Sequence, residues 1–155
     1  MNQIGTLVIG QGIGPAKFGM QEDEVIQLFG KPDEREIEDD GDGKVLTLFY
    51  DKMMTDFTFE LFEAEDGNEV YKLSSILCTN PEYTLDNKIK FGDSEDTVLK
   101  YVRTLKAADP QLEIDKETNE KIYYFDDICL ITMFDEEGLS TIQIGYWDDE
   151  DEPEE

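Results

Sequence analysis

The stretch AKFGMQEDEVIQLF at residues 16–29 returns in altered form as IKFGDSEDTVLKYV at residues 89–102. The Phe-Gly pair and the Glu-Asp pair that follows it are both offset by 73 residues. A second echo links KLSSILC at residues 72–78 to GLSTIQI at residues 138–144, with an offset of 66 residues. An offset of this size is too long for a solenoid repeat. The two echoes therefore predict a duplicated subdomain.

Each copy is predicted to begin with a Lys-Phe-Gly turn and a short helix. Apolar residues at helical spacing mark the two helices: Val25, Leu28 and Phe29 in the first copy, and Val98, Tyr101, Val102 and Leu105 in the second. We expect Asp93 to cap the N-terminus of the second helix. The equivalent residue of the first copy is Met20, which is a poor cap. Gly30 and Pro32 are expected to end the first helix.

Four strands are predicted after each helix. Their ranges are 33–39, 44–51, 56–63 and 69–78 in the first copy, and 111–116, 120–126, 129–135 and 139–147 in the second. Short turns such as the acidic one at residues 40–43 separate them, which is typical of an antiparallel meander. The predicted fold class is α+β, with two tandem repeats of a helix and a four-stranded sheet over residues 1–82 and 83–147. A disordered acidic tail is predicted for residues 148–155, and one helix per repeat leaves one sheet face open.

Charge restricts the partners. The chain carries 39 Asp and Glu against 13 Lys and Arg, a net charge of −26, and its last eight residues read DDEDEPEE. Such a charge repels nucleic acid and anionic membranes and attracts basic partners. The alternative, that it only keeps the protein soluble, stays open.

The N-terminal sequence lacks the features of a signal peptide, and no run of residues has the length of a membrane span. Cys78 and Cys129 each stand alone in an apolar run, which predicts core thiols rather than a disulfide. A cytoplasmic protein, monomeric when free, is therefore expected.

Catalytic and cofactor motifs are not found. The chain has no histidine, so it lacks the commonest general base and zinc ligand. The acidic stretch 38–49 fails the calcium-loop pattern because Phe49 stands where a glutamate is needed. Gly10, Gly12 and Gly14 imitate a dinucleotide loop, but Pro15 follows where a helix should open. We therefore expect no enzyme activity, cofactor or metal, although weak divalent binding by acidic loops stays open.

The sequence GIGPAKFGMQEDEVIQLFGKPDE at residues 12–34 resembles the opening motif of β-lactamase-inhibitor-protein-like domains and of the related SmpA/OmlA outer-membrane assembly lipoproteins. In those families a Phe/Ile-Gly-Met turn begins a helix that ends in Leu-Leu-Gly-x-Pro. The second copy keeps the turn and the helix but lacks the Gly-x-Pro end. The resemblance implies two tandem repeats that form one saddle-like sheet with the helices on one face. The inhibitors' disulfides and the lipoproteins' lipobox cysteine are missing, so the resemblance points to a cytosolic relative.

The function that the resemblance and the charge favour is that of a bacterial immunity protein, which blocks the active site of a cognate basic toxin. The alternatives are a DNA mimic that blocks a nucleic-acid-binding protein, and an assembly module of the SmpA/OmlA type. Partner-binding side chains are expected on strand faces opposite the helices: Glu60, Phe62, Thr132, Phe134, Gln143 and Trp147. Four further candidates are Tyr50, Tyr123, Asp126 and Asp127. The alternative that most of these aromatic residues are core stays open.

Overall fold

A computed structural model describes residues 6–39, 43–63, 67, 69–105 and 109–145. It is a mixed α+β fold with two helices, α1 (Glu22–Phe29) and α2 (Glu95–Thr104), and two sheets. The predicted acidic tail and Trp147 lie outside the described residues. Neither helix of the described chain has the length and apolar character needed to cross a membrane.

The strands are short at the start of each half and long afterwards. In chain order they are β1 (Thr6–Val8), β2 (Gly12–Ile13), β3 (Ala16–Lys17), β4 (Glu34–Asp39), β5 (Lys44–Tyr50), β6 (Thr55–Glu63), β7 (Glu69–Cys78), β8 (Thr84–Leu85), β9 (Ile89–Lys90), β10 (Gln111–Ile114), β11 (Lys121–Phe125), β12 (Leu130–Asp135) and β13 (Gly138–Gly145). The eight long strands match the eight predicted strands to within about two residues at each end.

These eight strands form one antiparallel sheet in the order β10-β11-β12-β13-β7-β6-β5-β4. The last strands of the two halves, β7 and β13, pair in the middle, with Ile76 opposite Ile144. Apolar residues alternate along the strands, so that Phe57 and Phe59 are fully buried while Thr58 between them is half-buried. A period of two places one apolar set on a single face of the sheet.

Both helices pack on this apolar face. Phe29 of α1 stacks on Phe57 with ring centroids 5.4 Å apart. At the N-terminus of α2, Glu95 accepts a 2.6 Å hydrogen bond from the Tyr123 hydroxyl. Val25 of α1 and Val98 and Val102 of α2 belong to the same buried core as the sheet residues. The core therefore lies between the helices and one face of the large sheet, and buried residues of the short strands, such as Leu7, Ile13 and Leu85, also belong to it.

The two Phe-Gly turns make the same contact with the sheet. The N–H of Gly19 donates to the carbonyl of Leu73, and the N–H of Gly92 donates to the carbonyl of Leu139, both at 2.9 Å. Both glycines have positive φ angles, of 97° and 93°, which residues with a side chain rarely adopt. Each turn thus contacts the strand, β7 or β13, that contains the second repeated sequence.

A five-stranded sheet, in the order β3-β2-β1-β8-β9, was not predicted from the sequence. It joins the segments before the two helices through a parallel pairing of β1 with β8. The carboxylate of Asp86 supports this pairing by accepting a hydrogen bond from the Ile9 N–H at 3.1 Å. Gly10, Gly12 and Gly14 shape the hairpins of this small sheet rather than a single turn before α1.

The helix caps differ in detail from those expected. Ser94, and not Asp93, caps α2, because its hydroxyl accepts the Thr97 N–H at 3.2 Å. α1 begins one residue later than expected, at a capping box between Gln21 and Glu24, and not at Met20. Gly30 ends α1 as predicted, with φ of 91° and a 2.7 Å bond from its N–H to the Ile26 carbonyl. Leu28, expected in the core, is 41% exposed.

Candidate functional site

The face of the large sheet that points away from the helices is the candidate site, and we call it the open face. One row of directly paired residues crosses this face over all eight strands. In order from β10 to β4 this central row is Gln111, Tyr124, Ile131, Gln143, Leu77, Asp56, Phe49 and Glu34. The six inner residues are half-buried and the two end residues are exposed. Among the described residues, no helix covers this row.

Further rows flank the central row on each half of the sheet. In the first half they are Glu36, Thr47, Thr58 and Ser75, then Glu38, Val45, Glu60 and Lys72. In the second half the flanking row is Glu113, Ile122, Met133 and Thr141. Carboxylates lie mostly on the outer strands, whereas apolar and uncharged side chains fill the middle. The open face therefore has an acidic rim around a largely uncharged centre.

Asp56 is the one central-row carboxylate that lies inside the sheet rather than at its edge. It stands between Phe49 and Leu77, its partners on the neighbouring strands. Burial, helped by the nearby charge of Asp51, raises the pKa of the Asp56 carboxyl. Within the described chain no ion pair joins Asp56 to a cation. A cation from a bound molecule would lower the free energy of this carboxylate in its charged form.

Two of the predicted partner-binding residues lie on the open face. Glu60 is exposed on β6, and Gln143 is half-buried in the middle of the central row. For Phe62 the described chain includes the backbone in β6 but not the side chain, and Trp147 falls outside the described residues altogether.

The expectation that Thr132 and Phe134 face away from the helices is wrong. Both are buried in the core, Thr132 at 0% and Phe134 at 3% exposure. The alternation of β12 places them on the same side as Leu130, and Phe134 packs edge-on against Tyr123 with centroids 5.6 Å apart. Close packing of the core on the helix side of the sheet is compatible with both side chains pointing inward.

Tyr50 and Tyr123 are core residues too, as the alternative reading of the aromatic residues held. The Tyr50 hydroxyl donates a 2.7 Å hydrogen bond to the Gly30 carbonyl at the end of α1. The Tyr123 hydroxyl is bound by Glu95 at the start of α2. Burial raises the pKa of both hydroxyls to about 12. Each tyrosine therefore fastens a helix end to the sheet.

Asp126 and Asp127 lie at one end of the sheet rather than on its open face. They are exposed in a 3-10 turn (Asp126–Ile128) that connects β11 to β12. A pocket of about 30 Å³ lies between this turn and the ends of β12 and β13, lined partly by Asp126, Cys129 and Gln143. A volume of this size holds about two water molecules. Among the described residues no cluster of Cys, Asp and Glu is arranged to hold a metal ion.

The sequence prediction missed Phe49, Leu77 and Tyr124, which form much of the uncharged centre. Each of them lies between two buried neighbours on its strand, for example Tyr124 between Tyr123 and Phe125. Strict alternation from those neighbours would have placed all three on the open face. The signal was therefore present, but a hydrophobic side chain inside an apolar run suggests core before it suggests surface.

Comparisons with known proteins give no match: no protein-family model, curated protein or solved structure is significantly similar to this chain.

Proposed function

We propose that this chain is a non-catalytic protein inhibitor of the immunity type, which acts in the bacterial cytoplasm. It neutralises a cognate basic toxin by covering the toxin's active site with the open face. The central row carries this proposal, because it offers a continuous, half-buried surface across the whole sheet with an acidic rim.

The proposal includes a duplicated architecture, in which the two halves form one saddle-like sheet. The strand order runs outward from β7 and β13 in the same sequence on both sides. Each half also has a register shift directly before a Phe-Leu pair, Phe59 with Leu73 and Phe134 with Leu139. These equivalences support a common unit used twice, as the sequence echoes predict.

The size of the open face suits a protein partner. Eight strands about 4.8 Å apart span about 35 Å, and the rows of side chains cover about 20 Å along the strands in the first half of the sheet and about 13 Å in the second half. The face therefore offers about 600 Å², at the lower end of the ~600–1,000 Å² that each partner buries in a standard-size protein–protein interface. A face of this size fits a macromolecular partner.

Charge and packing have separate roles in this binding. The net charge of −26 and the rim carboxylates Glu36, Glu38 and Glu113 attract a basic partner and raise the association rate. Lasting affinity comes from desolvated aromatic and apolar contacts near the centre, where Phe49 and Tyr124 stand. Asp56 adds a carboxylate whose desolvation is already partly complete before binding.

The uncharged centre separates this proposal from a DNA mimic. A mimic presents carboxylates at regular intervals in place of phosphates, whereas Ile131 and Leu77 occupy the middle of the central row. A DNA mimic would release DNA from a host protein in a strongly salt-dependent manner, and an assembly module would bind without inhibiting.

Co-expression tests the proposed function. The chain is expressed together with the protein that the neighbouring gene encodes, because the gene for a toxin normally lies next to the gene for its immunity protein. The growth of the bacterial cells is then measured. Wild-type protein should restore growth, and Gln143→Arg should abolish rescue by placing a bulky cation in the middle of the open face. Gln27→Arg is the matched control, because it makes the same substitution at an exposed position of α1, on the helix side of the sheet. Failure of the wild-type protein to bind or neutralise any neighbouring gene product would contradict the proposal.

A further inference from the structure

The two outer strands of the large sheet differ in how they are protected. β4 reads EREIED, and five of its six residues are charged. Charged side chains on an edge strand discourage pairing with another chain. β10 reads QLEI, with Glu113 as its only charge. All four of its residues are exposed, and within the described chain no strand pairs with its outer edge.

The side chains of β10 alternate between two chemistries. Leu112 and Ile114 lie on the helix side of the sheet beside Tyr123 and Lys121, and they are 50% and 49% exposed. Gln111 and Glu113 belong to the open face. The Glu113 carboxylate also accepts a 2.7 Å hydrogen bond from the Tyr124 hydroxyl, which holds it at the rim. A strand placed beside β10 would meet apolar contacts on one side and an acid on the other.

We propose that β10 receives an extended basic segment of the partner protein as a ninth strand. The outer N–H and C=O groups of β10 supply the main-chain hydrogen bonds, as in other cases of strand addition. The recognised segment alternates apolar residues, which pack on Leu112 and Ile114, with Arg or Lys residues, which face Glu113. This inference rests on the proposed function only in taking a basic protein as the partner, and it adds a contact that the open face does not supply.

Charge selects a basic partner over a second copy of this chain. Two copies of net charge −26 repel each other. Pairing β10 with another β10 would also bring together two sets of acidic flanks, since Asp115 and Glu117 follow directly in the adjoining turn. An arginine- or lysine-rich segment meets the same groups with attraction. The described chain thus favours association with a different, positively charged polypeptide.

A pair of short peptides tests the inference on the full-length protein. The first, labelled with fluorescein, has the alternating sequence Arg-Val-Arg-Val-Arg, and the second has the same composition in the order Arg-Arg-Arg-Val-Val. Both carry the same charge, so general attraction affects them equally. The alternating peptide should bind roughly tenfold more tightly by fluorescence anisotropy, because it alone matches two apolar cross-strand contacts. Amide NMR shifts on binding should centre on residues 111–114.

Variants on the two edges provide the control. Leu112→Lys combined with Ile114→Lys should reduce binding of the alternating peptide to that of the block peptide. Ile37→Lys adds one lysine to β4, where Ile37 is similarly exposed at 47%, and should leave binding unchanged, whereas Leu112→Lys alone, which adds the same charge to β10, should weaken it. Thermal unfolding checks that all variants are folded.

Three results would overturn the inference: equal affinity for the two peptides, NMR shifts that centre on β4 or on the open face, or a wild-type dimer that the double variant converts to monomer. The last would assign the edge to a second copy. Gln143→Arg should not change peptide binding, so failure of the edge contact and failure of the open-face function give different patterns.

Discussion

Replacing Gly138 by alanine tests the contact between the second Phe-Gly turn and β13. Gly138 has a φ of 114°, and a Cβ atom on it would lie 2.3 Å from the Gly92 carbonyl oxygen and 2.9 Å from that of Asp93. Both of these atoms belong to the backbone, so no side-chain rotation relieves the overlap. The turn and the strand must move apart.

The cost follows from two contributions. An alanine at this φ is strained by about 1–2 kcal/mol. Separation also weakens the two 2.9 Å backbone hydrogen bonds, Gly92 N–H to Leu139 and Leu139 N–H to Asp93, each worth about 1 kcal/mol. Gly138→Ala should therefore lower the free energy of unfolding by about 3 kcal/mol, a large part of the ~5–15 kcal/mol of a typical domain.

Gly92→Ala is the matched control. Gly92 has a similar φ of 93°, but no atom lies within 4 Å of the Cβ that alanine would add. Only the strain remains, about 1–2 kcal/mol. Urea unfolding followed by circular dichroism gives both values, with unchanged m-values showing that the folded and unfolded states are comparable. Equal losses for the two variants would refute the close-approach argument.

Three further predictions concern buried polar groups. Thr132→Val should raise the free energy of unfolding by about 1 kcal/mol, because the buried Thr132 hydroxyl has no partner among the described residues; a loss in urea unfolding would contradict this. Asp56→Asn should stabilise the protein at neutral pH but not near pH 3, because burial raises the pKa of Asp56 and only its charged form is penalised; equal effects at both pH values would exclude this cause. Burial also raises the pKa of Tyr50, Tyr101 and Tyr123 to about 12. Since tyrosine in an unfolded chain ionises near pH 10, their contribution is complete below about pH 10 and lost as the pH rises through 12, which tyrosinate absorbance and unfolding measurements can follow together.

Much of the large sheet could be predicted from the sequence because its signals are local. Alternation in FTFELFE at residues 57–63 and turn residues between strands fix where each strand begins and ends. The repeated segments at offsets of 73 and 66 residues predict a duplication but not which segments touch, and only the structure shows that Gly19 and Gly92 contact Leu73 and Leu139. Local periodicity thus predicted the strands, whereas the contacts between them had to come from the structure.

The parts that escaped prediction depend on distant contacts. β1 and β8 are two or three residues long and pair across more than seventy residues, so neither has a periodic pattern of its own. A polar residue such as Thr132 suggests an exposed side chain. However, Leu130 and Phe134, two residues away on either side, determine which face of the strand is buried, and Thr132 lies on that face. Tertiary packing overrides the preference of a single residue there. The open face was predicted to exist, but only Glu60 and Gln143 of its described residues were named.

Carboxylate labelling tests the central claim most directly, because the chain is rich in acids on every side. The free protein and its complex with the neighbouring gene product are treated with a carbodiimide and an amine, and the modified residues are found by mass spectrometry. Modification of Glu36 and Glu60 on the open face should fall sharply in the complex. Modification of Asp96 on α2 and Asp23 on α1 should persist. Protection of Asp96 with continued labelling of Glu36 and Glu60 would place the partner on the helix side and contradict the account.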